Sequence, residues 1–220
     1  EHLPASPNLY IISIGVPGNG LEFSDDDAAD FAAFVQNMAG GPLFNEVKYV
    51  RIYNDFTNTT RDRISGAVNS LPTVAAEIRP EDYLFFCISS HGVIRNVGEE
   101  ERFCIVPHSD NSTRKLSGDK NAQDYDDGLY YYYNLTEMLR SIRCKRFVFL
   151  DACHSGWGKG LFDPDLIAKT NLIAPGMVCF ASSSARQLSY EYKKGRNGVF
   201  MEAVLEAIRG NPVTSKVDKS

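Results

Sequence analysis

Long hydrophobic runs, blocks of basic residues and a strong excess of either charge are all missing from this sequence of 220 residues. No apolar stretch approaches the ~20 residues that a membrane-spanning helix needs, and residues 1–8 lack the features of a signal peptide. A net charge of −5 gives no attraction for phosphate groups. We therefore expect no membrane and no nucleic acid among the partners of the protein.

Cysteine is scarce as well, with five residues in the chain. An odd number cannot form a complete set of disulfides, and four of the five lie in or beside strongly apolar stretches, where a thiol behaves as a small hydrophobic group. Free thiols persist in reducing compartments. We therefore expect a cytoplasmic protein.

Short apolar segments alternate with amphipathic segments along the chain, which is typical of an α/β fold. Buried strands are predicted at 9–15, 47–53, 83–88, 103–106, 147–150 and 177–181. Helices are predicted at 24–40, at 59–78 with a break at Pro72, at 134–143, and at 200–208 before Gly210. This order predicts an open, mostly parallel sheet of about six strands with helices on both faces, in one domain over residues 9–210. Residues 1–8 are then an extension or linker, and residues 211–220 a tail.

Polar residues mark the predicted starts of two helices and one loop. Ser24 is predicted as the N-cap of the first helix, with the acidic residues 25–27 favoured in its first turn by the helix dipole. Asn134 and Glu137 resemble a capping pair for a later helix. The polar stretch 109–128 predicts a long surface loop, and loops of that length usually carry function or move.

Two of the apolar segments run directly into reactive side chains. One leads to His91 and Gly92, and another leads through Asp151 to Cys153. Sites in parallel sheets form at the carboxyl ends of strands, so the imidazole and the thiol meet if these two strands are neighbours. A thiolate beside an imidazolium is a strong nucleophile, and the same imidazole can protonate a leaving amine. Because glycine allows a sharp turn, the backbone amides of Gly92 and Cys153 are candidates to hold a developing oxyanion.

These two motifs, Ser-His-Gly at 90–92 and Asp-Ala-Cys-His-Ser-Gly at 151–156, resemble those of metacaspases and orthocaspases, which are cysteine peptidases with the caspase fold. The resemblance extends over nearly the whole predicted domain and includes the segments Leu-Glu-Phe-Ser-Asp-Asp-Asp-Ala at 21–28 and Gly-Val-Phe at 198–200. It implies a caspase-like three-layer sandwich and a thiol endopeptidase. In such an enzyme Cys153 is the nucleophile and His91 is its acid–base partner.

The resemblance also implies the specificity of the peptidase. In metacaspases the substrate Arg or Lys at P1, the residue before the cleaved bond, pairs with two acidic residues and a polar one, which match Asp27, Asp151 and Ser89. A carboxylate–guanidinium pair is strong in a partly dry pocket. We therefore expect protein or peptide substrates cleaved after Arg or Lys, with no cofactor and no metal. Calcium-dependent relatives carry an acidic cluster where this chain has Tyr130–Tyr133, so the resemblance does not support calcium activation.

Other interpretations of the same residues stay open. Asp151 could instead support the end of its strand, Asp25 and Asp26 compete with Asp27, and His154 is expected to face away from the nucleophile. The chain could be a catalytically silent caspase-fold module for recognition or assembly within a longer protein that has further domains or regulatory partners. It could also be an active peptidase that cleaves after Asp or an apolar residue.

Basic residues in predicted loops give one more expectation. A peptidase of this specificity could cut its own chain near Arg114-Lys115, Lys159 or Lys169. Trp157, close to the nucleophile in the sequence, either flanks the substrate cleft or covers apolar surface.

Overall fold

The computed structural model describes residues 6–18, 21–108, 128–154, 176–182, 191–192 and 197–210, with the backbone alone at 94–96, 100–101, 153–154 and 191–192. The predicted surface loop up to residue 127, the sites expected for self-cleavage and Trp157 lie outside the described residues. Within this part of the chain no helix is long and apolar enough to span a bilayer. Free thiols are found at Cys87, Cys104, Cys144 and Cys179.

A seven-stranded sheet forms the centre of the structure. Its strands are β1 (Leu9–Gly15), β2 (Val47–Tyr53), β3 (Tyr83–Val97), β4 (Glu100–Ile105), β5 (Tyr130–Tyr131), β6 (Lys145–His154) and β7 (Met177–Ala181). The order is β2-β1-β3-β4-β5, and β6 pairs with both β3 and β7. A separate two-stranded sheet joins β8 (Glu191–Tyr192) and β9 (Asn197–Gly198).

The predicted fold class is confirmed. The pairs β1–β2, β1–β3, β3–β6 and β6–β7 are parallel, and only β3–β4 and β4–β5 of the central sheet are antiparallel. The sheet has one strand more than the number expected, because β5 consists of two residues and leaves no pattern in the sequence.

Helices cover both faces of the sheet. α1 (Ser24–Gln36) and α5 (Val199–Ile208) pack on one side, which we call the α1 face; α2 (Arg61–Asn69), α3 (Leu71–Ala75) and α4 (Tyr132–Ser141) pack on the other, the α4 face. Alternate residues of a strand point to opposite faces, so Phe85 and Cys87 join the α1-face core while Phe86 and Ile88 join the α4-face core. Each large buried side chain contributes about 1.5–3 kcal/mol, so the hydrophobic pattern decides which face each residue takes.

β3 is longer than the sequence predicts and changes its neighbour halfway. It runs parallel to β1 as far as Ser89, and it pairs antiparallel with β4 from Gly92 onwards. Carbonyl groups two residues apart in a strand point to the same side, and those of Ser89 and His91 accept hydrogen bonds from the residues that follow β1 and β4, at 2.8 and 3.0 Å. His91, expected at a strand end, therefore lies inside β3, because β4 occupies the edge that β1 leaves.

The cap predicted for α1 is wrong. The helix begins at Ser24, with Phe23 at the N-cap position, and the Ser24 hydroxyl donates to the carbonyl oxygen of Val16 at 2.6 Å. This buried bond ties the start of the helix to the end of β1. α1 passes so close to β1 that a Cβ on Gly15 would lie 1.8 Å from the carbonyl oxygen of Ser24. Only glycine permits that approach.

The cap predicted for α4 is also wrong. The helix begins at Tyr132, before Asn134, and the tyrosine is fully buried against the α4-face core. Glu137 forms an ion pair with Arg140 on the exposed side of the helix instead of reaching back to its start. Burial of an aromatic side chain outweighs a capping preference of about 1 kcal/mol.

Pro72 and Gly210 interrupt or follow helices where the sequence predicts, whereas α1 ends at Gln36, before the expected stop at Gly40. α2 and α3 are separated at Ser70, and Pro72 occupies the first turn of α3. Gly210 follows α5 with a φ of 76°, a left-handed conformation that favours glycine.

A buried carboxylate joins the amino ends of β1 and β3. Asp82 is fully buried and accepts hydrogen bonds from the amides of Asn8 at 2.7 Å and Arg79 at 3.0 Å. The Arg79 guanidinium adds bonds of 2.7 and 3.3 Å. Burial alone would raise the pKa of Asp82, but these hydrogen bonds outweigh it and hold the pKa below its ordinary value. The ionised side chain therefore fixes the starts of two parallel strands, at the end of the sheet opposite to His91.

Candidate active site

β3 and β6 are parallel neighbours, as the expected chemistry requires. Their register aligns Ser89 with Asp151 and His91 with Cys153. Paired backbones in a sheet lie about 4.8 Å apart. The backbone of Cys153 is therefore level with His91 and next to it, while the thiol lies outside the described atoms.

Polar residues on these two strands share the α1 face. Every second residue of a strand points to the same face, which on β3 includes Cys87, Ser89 and His91 and on β6 includes Phe149 and Asp151. Ser89 and Asp151 are 4% and 6% exposed, and His91 is half-buried. The alternation that buries aromatic side chains toward the amino ends of these strands thus places polar groups on the same face near their carboxyl ends.

Asp27 of α1 meets these residues from the helical layer. It is 2% exposed; its Oδ2 accepts a hydrogen bond from Ser89 Oγ at 2.7 Å, and its Oδ1 accepts one from the backbone N–H of Gly198 at 2.8 Å. A Cβ placed on Gly198 would lie 3.1 Å from Asp27 Oδ2 and 2.7 Å from Asp151 Oδ2. Both carboxylates therefore converge on one small space, and we call Asp27, Ser89, Asp151 and Gly198 the acidic pocket.

A buried thiol lies within the field of this acidic pocket. Burial raises the pKa of Cys87 well above its ordinary value, and the charges of Asp27 and Asp151 raise it further. Cys87 is fully buried, stays protonated and is therefore a poor nucleophile. Two carboxylates held close together away from water also repel each other, and a cation between them is favoured.

Gly92 lies in extended backbone and not in the sharp turn that its sequence suggests. It pairs with Ile105 of β4 and is aligned with His154 of β6. In paired strands the N–H and carbonyl groups point toward neighbouring strands. The oxyanion role expected for the amides of Gly92 and Cys153 stays a prediction.

The structure separates the acidic residues that compete in the first turn of α1. Asp25 and Asp26 are half-buried, whereas Asp27 is buried against β3 and β9. Across the described ranges, no group of three or more His, Cys, Asp and Glu side chains is arranged to hold a metal ion.

Sequence reasoning misses Gly198 as a site residue. The glycine belongs to the short strand β9 and precedes α5, far along the chain from Asp27. No local pattern connects a helix near the start of the chain with a glycine near its end. The signal that was available is the Gly198-Val199-Phe200 segment, which belongs to the family resemblance but does not by itself indicate contact with a carboxylate.

Comparison with known proteins supports the fold. A solved structure, protein GSU0716 from Geobacter sulfurreducens, is similar to this chain with a TM-score of 0.61 at 15% sequence identity, over 92% of this chain and 82% of that one. No protein-family model matches the sequence, and no curated protein matches it. At this identity the likeness shows a shared three-layer α/β architecture and carries no information on activity.

Proposed function

We propose that the protein is a cysteine endopeptidase of the metacaspase or orthocaspase type, which hydrolyses peptide bonds after Arg or Lys. The observation that carries the proposal is the register of β3 and β6, because one alignment brings His91 level with Cys153 and Ser89 level with Asp151. Positions 91 and 153 each follow a pocket residue by two, so strand alternation assigns them to the same face as the pocket. A nucleophile, a base and two members of the acidic pocket, Ser89 and Asp151, then lie along two adjacent strands.

Cys153 and His91 carry the chemistry. The imidazole accepts the thiol proton, and the thiolate forms a bond to the carbonyl carbon of the substrate while the amides of Gly92 and Cys153 bind the oxyanion. When the C–N bond breaks, His91 gives the proton to the leaving amine and a thioester remains. Water then loses a proton to His91 and attacks the thioester, which releases the carboxylic acid and restores the thiol. The reaction needs no cofactor.

Asp27, Ser89 and Asp151 select the P1 residue. Two buried carboxylates can bind a guanidinium or ammonium group with charge-assisted hydrogen bonds, each contributing about 1.5–3 kcal/mol. An acidic P1 residue would be repelled, and an apolar one would offer the carboxylates no partner in a buried space. This charge distribution favours basic P1 residues over the alternative specificities for Asp or apolar residues.

A fluorogenic peptide assay tests the activity. Peptides that differ only in carrying Arg, Lys, Asp or Leu at P1 are given to the wild type, to Cys153→Ala and to Cys144→Ala, with and without calcium. Cys144 is a half-buried thiol just before β6 and serves as the matched control. We expect turnover of the Arg and Lys peptides, a loss of about 10³-fold or more in Cys153→Ala, and little change in Cys144→Ala.

The results also separate the competing functions. No turnover that depends on Cys153 would refute the peptidase proposal and favour the silent recognition module. Faster cleavage after Asp or Leu than after Arg and Lys would refute only the assignment of the acidic pocket.

A further inference from the structure

We propose that Gly198 is a specificity-determining residue, because the absence of a side chain there lets Asp27 and Asp151 pack against its backbone and hold the positions in which they meet a P1 cation. The inference rests on the proposed function and adds to the pocket a wall contributed by the junction of β9 and α5. It concerns a position that neither sequence motif of the site contains.

The backbone conformation of Gly198 does not itself require glycine. Its φ of −62° and ψ of 148° lie in the extended region that every L-residue adopts freely. Unlike Gly210, which has a left-handed φ of 76°, Gly198 could be replaced by alanine without backbone strain. The reason for glycine at this position must therefore be sought in its surroundings.

The surroundings of Gly198 are the two carboxylates. A Cβ at this position would lie 2.7 Å from Asp151 Oδ2, which is closer than carbon and oxygen approach without bonding, and 3.1 Å from Asp27 Oδ2. At least one carboxylate would have to move. Both acidic groups thus pack directly against the Gly198 backbone, and a methyl group there would displace the carboxylates from the positions in which they bind a cation.

The backbone of Gly198 also orients one of these carboxylates. Its N–H donates to Asp27 Oδ1 at 2.8 Å while Ser89 holds Asp27 Oδ2. Gly198 is the N-cap residue of α5, a helix of ten residues whose positive dipole end stabilises a nearby negative charge. Asp27 is therefore held in one orientation, with its charge favoured.

The residue before Gly198 clamps the junction to α1. Asn197 is 3% exposed, and its Nδ2 donates to Asp30 Oδ2 at 3.1 Å and to Glu202 Oε2 at 3.2 Å. Asp27 and Asp30 lie one helical turn apart, on neighbouring positions of the α1 surface. Two successive residues of the β9–α5 junction are thus bound by two successive carboxylates of α1, which fixes the position of Gly198 in the pocket.

Agmatine, a small guanidinium compound that is not cleaved, tests this inference separately from catalysis. Its binding is measured by calorimetry for the wild type, for Gly198→Ala and for Gly66→Ala, a helical glycine with nothing near its Cβ position. We expect saturable binding by the wild type and Gly66→Ala, and binding weaker by about tenfold or more in Gly198→Ala. The kcat/KM for the Arg peptide should fall in parallel, while iodoacetamide alkylates Cys153 at an unchanged rate.

A measurement on the wild type decides the question if Gly198→Ala does not fold. In nitrogen-15 NMR spectra the Gly198 amide resonance should shift and saturate with agmatine, and that of Gly66 should not. Equal affinity in the wild type and Gly198→Ala, an unmoved Gly198 resonance at saturation, or no saturable agmatine binding by the wild type would each overturn the inference. Agmatine binding that depends on Gly198, without cleavage of Arg peptides, would support the pocket and refute the peptidase.

Discussion

Replacing Asp27 by asparagine should remove most of the activity while leaving the fold nearly intact. The carboxamide has the same shape as the carboxylate, so its oxygen can keep accepting from the Gly198 N–H. Its NH₂ group can then face Ser89, whose hydroxyl rotates from donor to acceptor. Both buried partners stay satisfied, and the substitution also removes one of two adjacent like charges.

The expected magnitudes follow from these contacts. The loss of a charge-assisted hydrogen bond to the substrate costs about 1.5–3 kcal/mol, which corresponds to a drop of about 10- to 150-fold in kcat/KM. The free energy of unfolding should change by less than about 1.5 kcal/mol, because the Gly198 N–H keeps its acceptor and the Ser89 hydroxyl keeps a hydrogen bond to residue 27. Activity and stability should therefore separate clearly.

Asp25→Asn is the matched control for Asp27→Asn. It removes the same charge from the same first turn of α1 and loses the same helix-dipole contribution of about 0.3–1 kcal/mol. Steady-state kinetics on an Arg peptide and urea unfolding followed by circular dichroism should show a large kinetic loss for Asp27→Asn alone. Equal losses in both variants, or wild-type kinetics in Asp27→Asn, would refute the role of the acidic pocket.

Two further predictions concern the framework behind the site, and urea unfolding measures both. Asp82→Asn should lower the free energy of unfolding by about 2–3 kcal/mol at pH 7, because an NH₂ group then faces the donors of Arg79. The control Asp55→Asn changes an exposed carboxylate with as many hydrogen bonds and should lose clearly less stability. Since the folded pKa of Asp82 is lowered, its contribution to stability is present above the unfolded pKa near 4 and disappears as the pH falls through the folded value. The difference in unfolding free energy between the wild type and Asp82→Asn should therefore narrow at pH 3. A constant difference would contradict this. Gly15→Ala should lower the free energy of unfolding by about 2–4 kcal/mol, because the methyl group pushes α1 away from β1. Gly66→Ala should be neutral or stabilising, and equal stability of the two variants would contradict the close approach of α1 to β1.

The parts of the fold that the sequence predicts are those with a local pattern. The runs 9–15 and 177–181 match β1 and β7 residue for residue, because an apolar run bounded by turn residues is a local signal. The extension of β3 beyond His91 depends on β4, which pairs with the edge of β3 that β1 leaves free. That pairing is a tertiary contact and has no local sequence signal. The helix starts at Ser24 and Tyr132 likewise depend on what each side chain meets across the fold.

The candidate site divides in the same way. Asp27, Ser89 and Asp151 come from the family resemblance, and the structure brings all three together. Gly198 has no side chain for a motif to specify, and its contribution is a backbone amide and a close approach to both carboxylates. Such a contribution becomes visible only when the distances to the carboxylates are known.

The register between β3 and β6 also makes the site dependent on residues that never touch a substrate. A slip of β6 by a single residue would place Ala152 or His154 beside His91, and it would turn Asp151 toward the opposite helices. What forbids the slip is the aromatic packing lower down, where Phe85 meets Phe147 and Phe149 at ring separations of 5.3 and 5.9 Å. The alignment of nucleophile and base thus depends on the aromatic core in the middle of the sheet. Selection on the chemistry would therefore also constrain these core residues, although they lie away from the site.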